Sequence, residues 1–462
     1  MTRSNDAAPQ LKRVLGLGGA MTFGLAYMIP LTVFTTLGIA NVMTDGNLVA
    51  AYAITLVAMA FTAVSYATMV RRHPVAGSAY TFSRRTFGGH VGFLAGWALL
   101  LDYLLLPMVT YLVIGIYLNA AFPAIPMWVF FVAALVLVTI LNIIGIRLLA
   151  GVNVALLALQ VVFIGVFLVM VVGGISGTSM PSLAEVFLND RANLVAILSG
   201  SALLCFSFLG FDAVSTLAEE TKAPERTLPR AIILVTVLGG LLFMLLSAAS
   251  NLVFPDYTTY SSPDSASLDV MAAAGGELLS AFFTAAYVAG CFASVMASQA
   301  TVSRILFAMG RDRMLPRRLF AFVHPRFRTP AGATAAVAVV SLVGLALDLM
   351  TLSSLISFGA LVAFSMVNLS VIKHHLVDER RRGARAILLY GVLPGIGFLL
   401  TAWLWTSLSG SALAVGLIWV GVGVVILAVM TRGFRQPPPQ IDVDKAETAG
   451  IRVEEPEVSV AK

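Results

Sequence analysis

The sequence predicts an all-α polytopic membrane protein with about twelve transmembrane helices. The first observation is compositional. Of its 462 residues 59% are hydrophobic and only 11% charged, where a soluble domain carries about a quarter charged residues. The second is run length: many apolar stretches exceed the roughly 20 residues that cross a hydrocarbon core. The third is pattern. The runs are unbroken rather than alternating, and lipid demands that every backbone group be paired internally, so they are helices and not barrel strands.

The first span, 14–43, is long and interrupted at "GLAYMIPLT". Proline inside a helix removes a hydrogen bond and clashes one turn back. With Gly24 upstream and Thr32 and Gly38 downstream, Pro30 opens the helix near Met28–Thr32. Span two, 47–70, is followed by a non-spanning insert, "RRHPVAGSAYTFSRRTFG". Span three, 89–118, carries Asp102 in "GWALLLDYLLLPM", and spans four and five are 126–146 and 151–174. Span six, 193–218, is interrupted around Gly210 and carries Asp212. Span seven, 230–254, precedes a second insert, "FPDYTTYSSPDSASLD". Spans eight to twelve are 276–309, 331–349, 352–374, 387–408 and 411–431.

Each interrupted span starts a group of five, and the two inserts fall on opposite sides of the membrane. That is the pattern of an inverted five-plus-five repeat, in which broken helices at matching positions point to a midplane binding site. The units expected are a cytoplasmic segment 1–13, repeats 14–174 and 193–374, two extra helices 387–431, and a disordered cytoplasmic tail 432–462 with "PPPQ" and scattered acids.

Charge sets the orientation. Lys12, Arg13, Arg71, Arg72, Arg84, Arg85, Arg147, Lys222, Arg226, Arg230, the runs 304–328 and 373–385, Arg432 and Arg435 all fall on alternate connections. The opposite connections hold one basic residue, Arg191, among Asp45, Glu185, Asp256, Asp264 and Asp269. The positive-inside rule then places both termini in the cytoplasm of a cell-membrane protein. The net charge of +6 is a topology signal, not one for nucleic acid. The polar N-terminus precedes an apolar run too long for a signal-peptide core, so the first span is expected to act as the signal.

Catalytic chemistry has little foothold. There is no GxxxxGK[ST] to couple ATP hydrolysis and no HExxH. Cys205 and Cys291 lie inside spans without a CxxC, against a disulfide framework or a zinc site. His73, His90, His324, His374 and His375 sit at cytoplasmic ends or in loops; the pair His374–His375 can bind metal, but an interfacial role is the plainer one. No enzyme, cofactor or metal is expected, and a transporter driven by an ion gradient fits best.

The intramembrane acids are the main clue. A carboxylate at a helix centre costs roughly 2.5–3.5 kcal/mol on insertion scales and usually faces a cavity or a partner. For Asp102 and Asp212 the alternative is a structural hydrogen bond to a broken helix. No lysine or arginine lies deep in any span, so their partner is expected to be a cation that comes and goes, a proton or an ammonium substrate. Tyr27, Tyr103, Phe206, Phe208 and Phe211 offer rings whose faces attract ammonium, with simple packing the plainer role for Phe208 and Phe211. Glu219 and Glu220, beside Lys222, Arg226 and Arg230, read as cytoplasmic gate or loop ion pairs.

"PVAGSAYTFSRRTFG", "FSFLGFDAVSTLAEETKAPERTLPRAI" and "SRILFAMGRDRMLP" resemble signature stretches of the amino acid–polyamine–organocation superfamily, from about Leu11 to Arg432. Within it, "GLAYMIPLTVFTTLGI", "HVGFLAGWALLLDYLLLPM" and "LISFGALVAFSMVNLSVI" are similar to bacterial putrescine importers. The resemblance implies a LeuT-type fold with two extra C-terminal helices, alternating access and, usually, proton coupling. It also implies that span one opens where amino-acid members hold the substrate carboxylate on a Gly-Ser-Gly stretch. Pro30, Leu31 and Thr32 stand there, and proline has no amide to donate, which fits a substrate with amines only. By the same resemblance Asp212 handles a proton or amine, Phe206 covers the substrate, and Asp102, Tyr103 and Ser298 face it. Val75 stands where a cytoplasmic glutamate is usual. Span five lacks the lysine some members use as proton carrier, leaving Asp212 or Asp102 to do that work. The function expected is import of putrescine or a related polyamine with protons. The alternatives are a proton-coupled amino-acid permease and, from another class, a ligand sensor without turnover.

Overall fold

A chain this apolar can pair its amides within a bilayer only by coiling, and the computed structural model is helical nearly throughout. It describes residues 13–73, 78–145, 150–175, 183–311, 315–327, 329–436 and 438. The segment before Arg13, most of the expected tail, Val75 and Arg147 lie outside the described residues. Among the described residues eleven helices are long and apolar enough to cross a membrane. No strand forms among them; one isolated parallel bridge pairs Leu15 with Thr221.

The first span is two helices, α1 (Leu17–Met28) and α2 (Leu37–Met43), joined by a 3-10 turn at Pro30–Phe34. Next come α3 (Leu48–Arg72), the short α4 (Ala79–Phe87) inside the first insert, α5 (Gly89–Ala121), α6 (Met127–Ile144) and α7 (Ala150–Ile175). The sixth span starts as α8 (Leu194–Leu204) and continues as 3-10 turns at Cys205–Phe208 and Ala213–Glu219. Then follow α9 (Pro224–Val253), α10 (Ala266–Arg311), α11 (Ala331–Ser341), α12 (Leu349–Ile372), α13 (Leu393–Thr406) and α14 (Gly410–Met430).

Two boundaries differ from the sequence reading. α9 begins at Pro224, with proline in the first turn where its missing amide costs nothing. Arg226 and Arg230, read as connection residues, therefore sit in its first turns. Within α10 the backbone is non-helical at Gly275 (φ −152°, ψ 18°) and Gly276 (φ 68°, ψ −165°), so two helices meet there and the start expected at 276 falls on a real break. The ninth expected span is the short α11, extended by a 3-10 turn at Leu342–Ala346, and is not among the eleven long helices.

The most extensive helix–helix contacts are α3 on α9 and α5 on α12, and α1 also lies on α9. The C-terminal α14 is clasped to α5 by a reciprocal pair. Trp97 and Trp419 each donate an indole N–H to the other's backbone oxygen at 2.8 Å, with rings stacked 4.7 Å apart.

Candidate cation site at the two helix breaks

At the first break Ile29 takes φ 50° and ψ 98°, a region that a β-branched side chain seldom enters. Pro30 has no amide to continue α1 and starts the 3-10 turn. The freed carbonyls are taken up by hydroxyls. Thr32 donates to Met28 O at 3.0 Å. Phe34 O accepts from Tyr117 of α5 at 2.9 Å and from Ser267 of α10 at 2.7 Å. The hydroxyls of Thr35 and Tyr287 are hydrogen-bonded to each other. A buried backbone group has to find such partners when its helix ends early.

At the second break Gly210 has φ 121°, open only to glycine at low cost. The Gly210 N–H donates to Asp212 Oδ1 at 3.1 Å, so the acid holds the unwound backbone. Ser357 of α12 donates to Leu203 O at 3.1 Å, and Ser207 and Tyr52 share a hydrogen bond of 3.1 Å. The two breaks meet. A Cβ at Gly210 would lie 2.8 Å from Met28 N and 2.8 Å from Tyr27 Cδ1.

Asp102 is 8% exposed and Asp212 is half-buried. Asp102 lies within Coulombic range of Asp212, and the buried Tyr66 of α3 lies within range of both. Among the described residues neither acid has an ion pair. Asp102 backs onto Gly359 of α12, where a Cβ would stand 2.7 Å from Ala98 O and 3.4 Å from Asp102 N. Tyr103 does not share that face. Successive helical residues are turned about 100° apart, and Tyr103 lines a small apolar recess with Tyr80, Trp97, Leu100, Ile305 and Met309.

The other expected residues distribute as follows. Pro30, Leu31, Thr32 and Phe206 are buried at the breaks, and Tyr27 is 40% exposed. Phe208 packs on Tyr52 and Phe243, and Phe211 on Tyr66 and Phe364. Ser298 donates to Val295 O of its own helix at 3.3 Å. Its neighbour Gln299 is fully buried. Gln299 accepts from Tyr111 at 3.2 Å and Asn142 at 3.0 Å, and donates to Thr139 at 2.9 Å.

The ion pairs expected of Glu220 with Lys222, Arg226 and Arg230 do not form among the described residues; the Glu219 side chain lies outside them. Glu220 acts through its backbone. Its carbonyl accepts from Val14 and Leu15 at 2.9 Å, and Lys222 N–H donates to Leu15 O at 2.8 Å. The strand-like tie thus joins the entry of span one to the exit of span six.

Ion pairs gather instead around Glu379, which holds Arg72 at 2.9 Å and Arg381 at 2.6 Å. Donor atoms of His374, His375 and Glu379 lie within 4.8 Å of one another, but two guanidinium groups already occupy that carboxylate. Nearby His73 is pushed down to about 4 by burial and by Arg85, His374 and Arg72.

Sequence reading missed Tyr66, Tyr117, Ser267, Tyr287 and Gln299. A signal existed for Tyr66: it follows Tyr52 by 14 residues in α3, close to four helical turns and so on one face.

The amino acid permease family model matches residues 19–432. The low-affinity putrescine importer PlaP of Escherichia coli K12 is 40% identical over 442 residues, covering 95% of this chain and 98% of the relative. The branched-chain amino acid permease BcaP of Bacillus subtilis is 29% identical over 445 residues, 91% of this chain and 94% of the relative. The vacuolar cationic amino acid transporter 4 of Arabidopsis thaliana is 31% identical over 396 residues, 80% of this chain and 64% of the relative.

Proposed function

The chain belongs to the amino acid permease family of membrane transporters, and on that footing we propose that it imports putrescine or a related polyamine across the bacterial cytoplasmic membrane. Import runs with protons and by alternating access. The observation that carries the reading is the pair Asp102 and Asp212, two carboxylates in electrostatic reach of each other inside the membrane without a basic partner among the described residues. A diamine carries an ammonium at each end and neutralises both acids at once. A proton does the same for either acid when the amine has left. Pro30, buried at the first break without an amide, favours a substrate that has no carboxylate to hold. The E. coli relative is a putrescine importer, which supports this substrate class.

In this reading the site at the two touching breaks opens to each side of the membrane in turn. Both termini are cytoplasmic by the distribution of Lys and Arg. Putrescine uptake into proteoliposomes under an imposed proton gradient tests the proposal. Accumulation must exceed the protein's binding capacity and collapse when a protonophore dissipates the gradient.

A second reading, a proton-coupled amino-acid permease, is favoured by the B. subtilis relative. Competition of labelled putrescine by neutral amino acids, with diamines inactive, selects it.

A further inference from the structure

Tyr66 is fully buried, and its hydroxyl has no hydrogen-bond partner among the described residues. A phenol left so costs about 1–3 kcal/mol, and an orphaned group of this kind calls for a ligand, water or ion that completes it. Its place is closely defined. The ring meets Phe82 of α4 at 6.0 Å, Phe211 at 5.6 Å and Phe364 of α12 at 5.9 Å, all edge-on. Three rings from three elements therefore hold the phenol, and one of them is the residue next to Asp212. Both Asp102 and Asp212 act on it electrostatically. Tyr52, on the same helix, spends its hydroxyl on Ser207 and has no such vacancy.

A primary ammonium has three N–H donors. The two oxygens of one carboxylate can accept from two of them, and the buried, unpartnered phenol oxygen, whose ring packs on Phe211 next to Asp212, is open to accept from the third. We propose that Tyr66 is a substrate ligand, its hydroxyl oxygen accepting from the ammonium that Asp212 holds. The proposal rests on the amine reading above and adds a residue to its site.

Tyr66→Phe keeps the ring and its three contacts and removes only the oxygen. Purified Tyr66→Phe should melt at or above the wild-type temperature, because an orphaned polar group is gone. Its KM for [14C]putrescine should rise about tenfold, the scale of one hydrogen bond to a charged group. A melting temperature that falls with KM within twofold of wild type makes the residue structural and overturns the proposal. If wild type accumulates [14C]leucine and no putrescine, the function proposed above fails, and Tyr66 is judged by the same KM comparison on leucine, whose ammonium has the same three donors. Should the variant not purify, tetramethylputrescine, with one N–H at each end, serves on wild type. Competition as strong as that of putrescine overturns the three-acceptor site, and a tenfold weaker one supports it.

Discussion

The backbone of Met28 occupies the space where a side chain on Gly210 would begin: a Cβ there would lie 2.8 Å from Met28 N. The break in one span is thus seated against the break in the other, through the one residue type that permits both the contact and a φ of 121°. Gly210→Ala should force these breaks apart. The expected result is a fall in melting temperature worth about 1–3 kcal/mol and at least a tenfold loss of putrescine uptake. Uptake at the wild-type rate would show that the two breaks need not touch.

Asp102→Asn and Asp212→Asn separate a functional acid from a structural one. A carboxylate without an ion pair has no salt bridge to lose, so neutralising it removes a burial cost. Melting temperature should hold or rise while putrescine uptake falls at least tenfold in each variant. For Asp212 the retained amide oxygen still accepts from Gly210, which keeps the turn. Full uptake with unchanged pH dependence in Asp212→Asn would remove that residue from the mechanism.

Phe34 O receives two hydroxyls, from Tyr117 and Ser267. Either one alone satisfies the carbonyl, so Tyr117→Phe and Ser267→Ala should each cost about 1 kcal/mol or less. The double variant leaves the carbonyl bare and should cost clearly more than the two added together. Thermal unfolding of all four proteins in one detergent measures this coupling, and simple additivity would argue that water replaces the lost donors.

His73 gives a pH signature. Its value drops from 6.5 to about 4 in the folded protein through burial and the nearby Arg85, His374 and Arg72. The unfolded chain therefore binds more protons between these values, and stability rises with pH across that window. The contribution is complete above about 6.5 and lost as pH falls toward 4. The drop in melting temperature from pH 7.5 to pH 5 should be smaller in His73→Gln than in wild type; an equal drop would assign the pH sensitivity to other groups.

Much of the architecture is legible from apolar run length alone, because lipid leaves no alternative to helices. Pro30 and Gly210 mark the breaks, since each carries a backbone property that any environment must respect. The Gly275–Gly276 pair marks the break before the eighth span in the same way. The short ninth span was overextended because Leu342–Leu347 is as apolar as a membrane helix, yet its backbone tightens into a 3-10 turn. Glu220 was expected to act through its charge and instead contributes its carbonyl, a role no side-chain pattern announces.

By itself the sequence determined the solvent of this protein, the number and approximate place of its helices, the two breaks and the presence of two acids in oil. Those follow from local chemistry: hydrophobic length, a missing amide, a missing Cβ. Only the tertiary structure decided that the breaks touch, that Asp102 and Tyr103 face different spaces, and that Tyr66 packs on Phe211, next to Asp212. Those relations depend on the rotation of each helix about its own axis, which is set by packing against α9, α12 and α10. In a chain apolar on nearly every face, no hydrophobic stripe records that rotation.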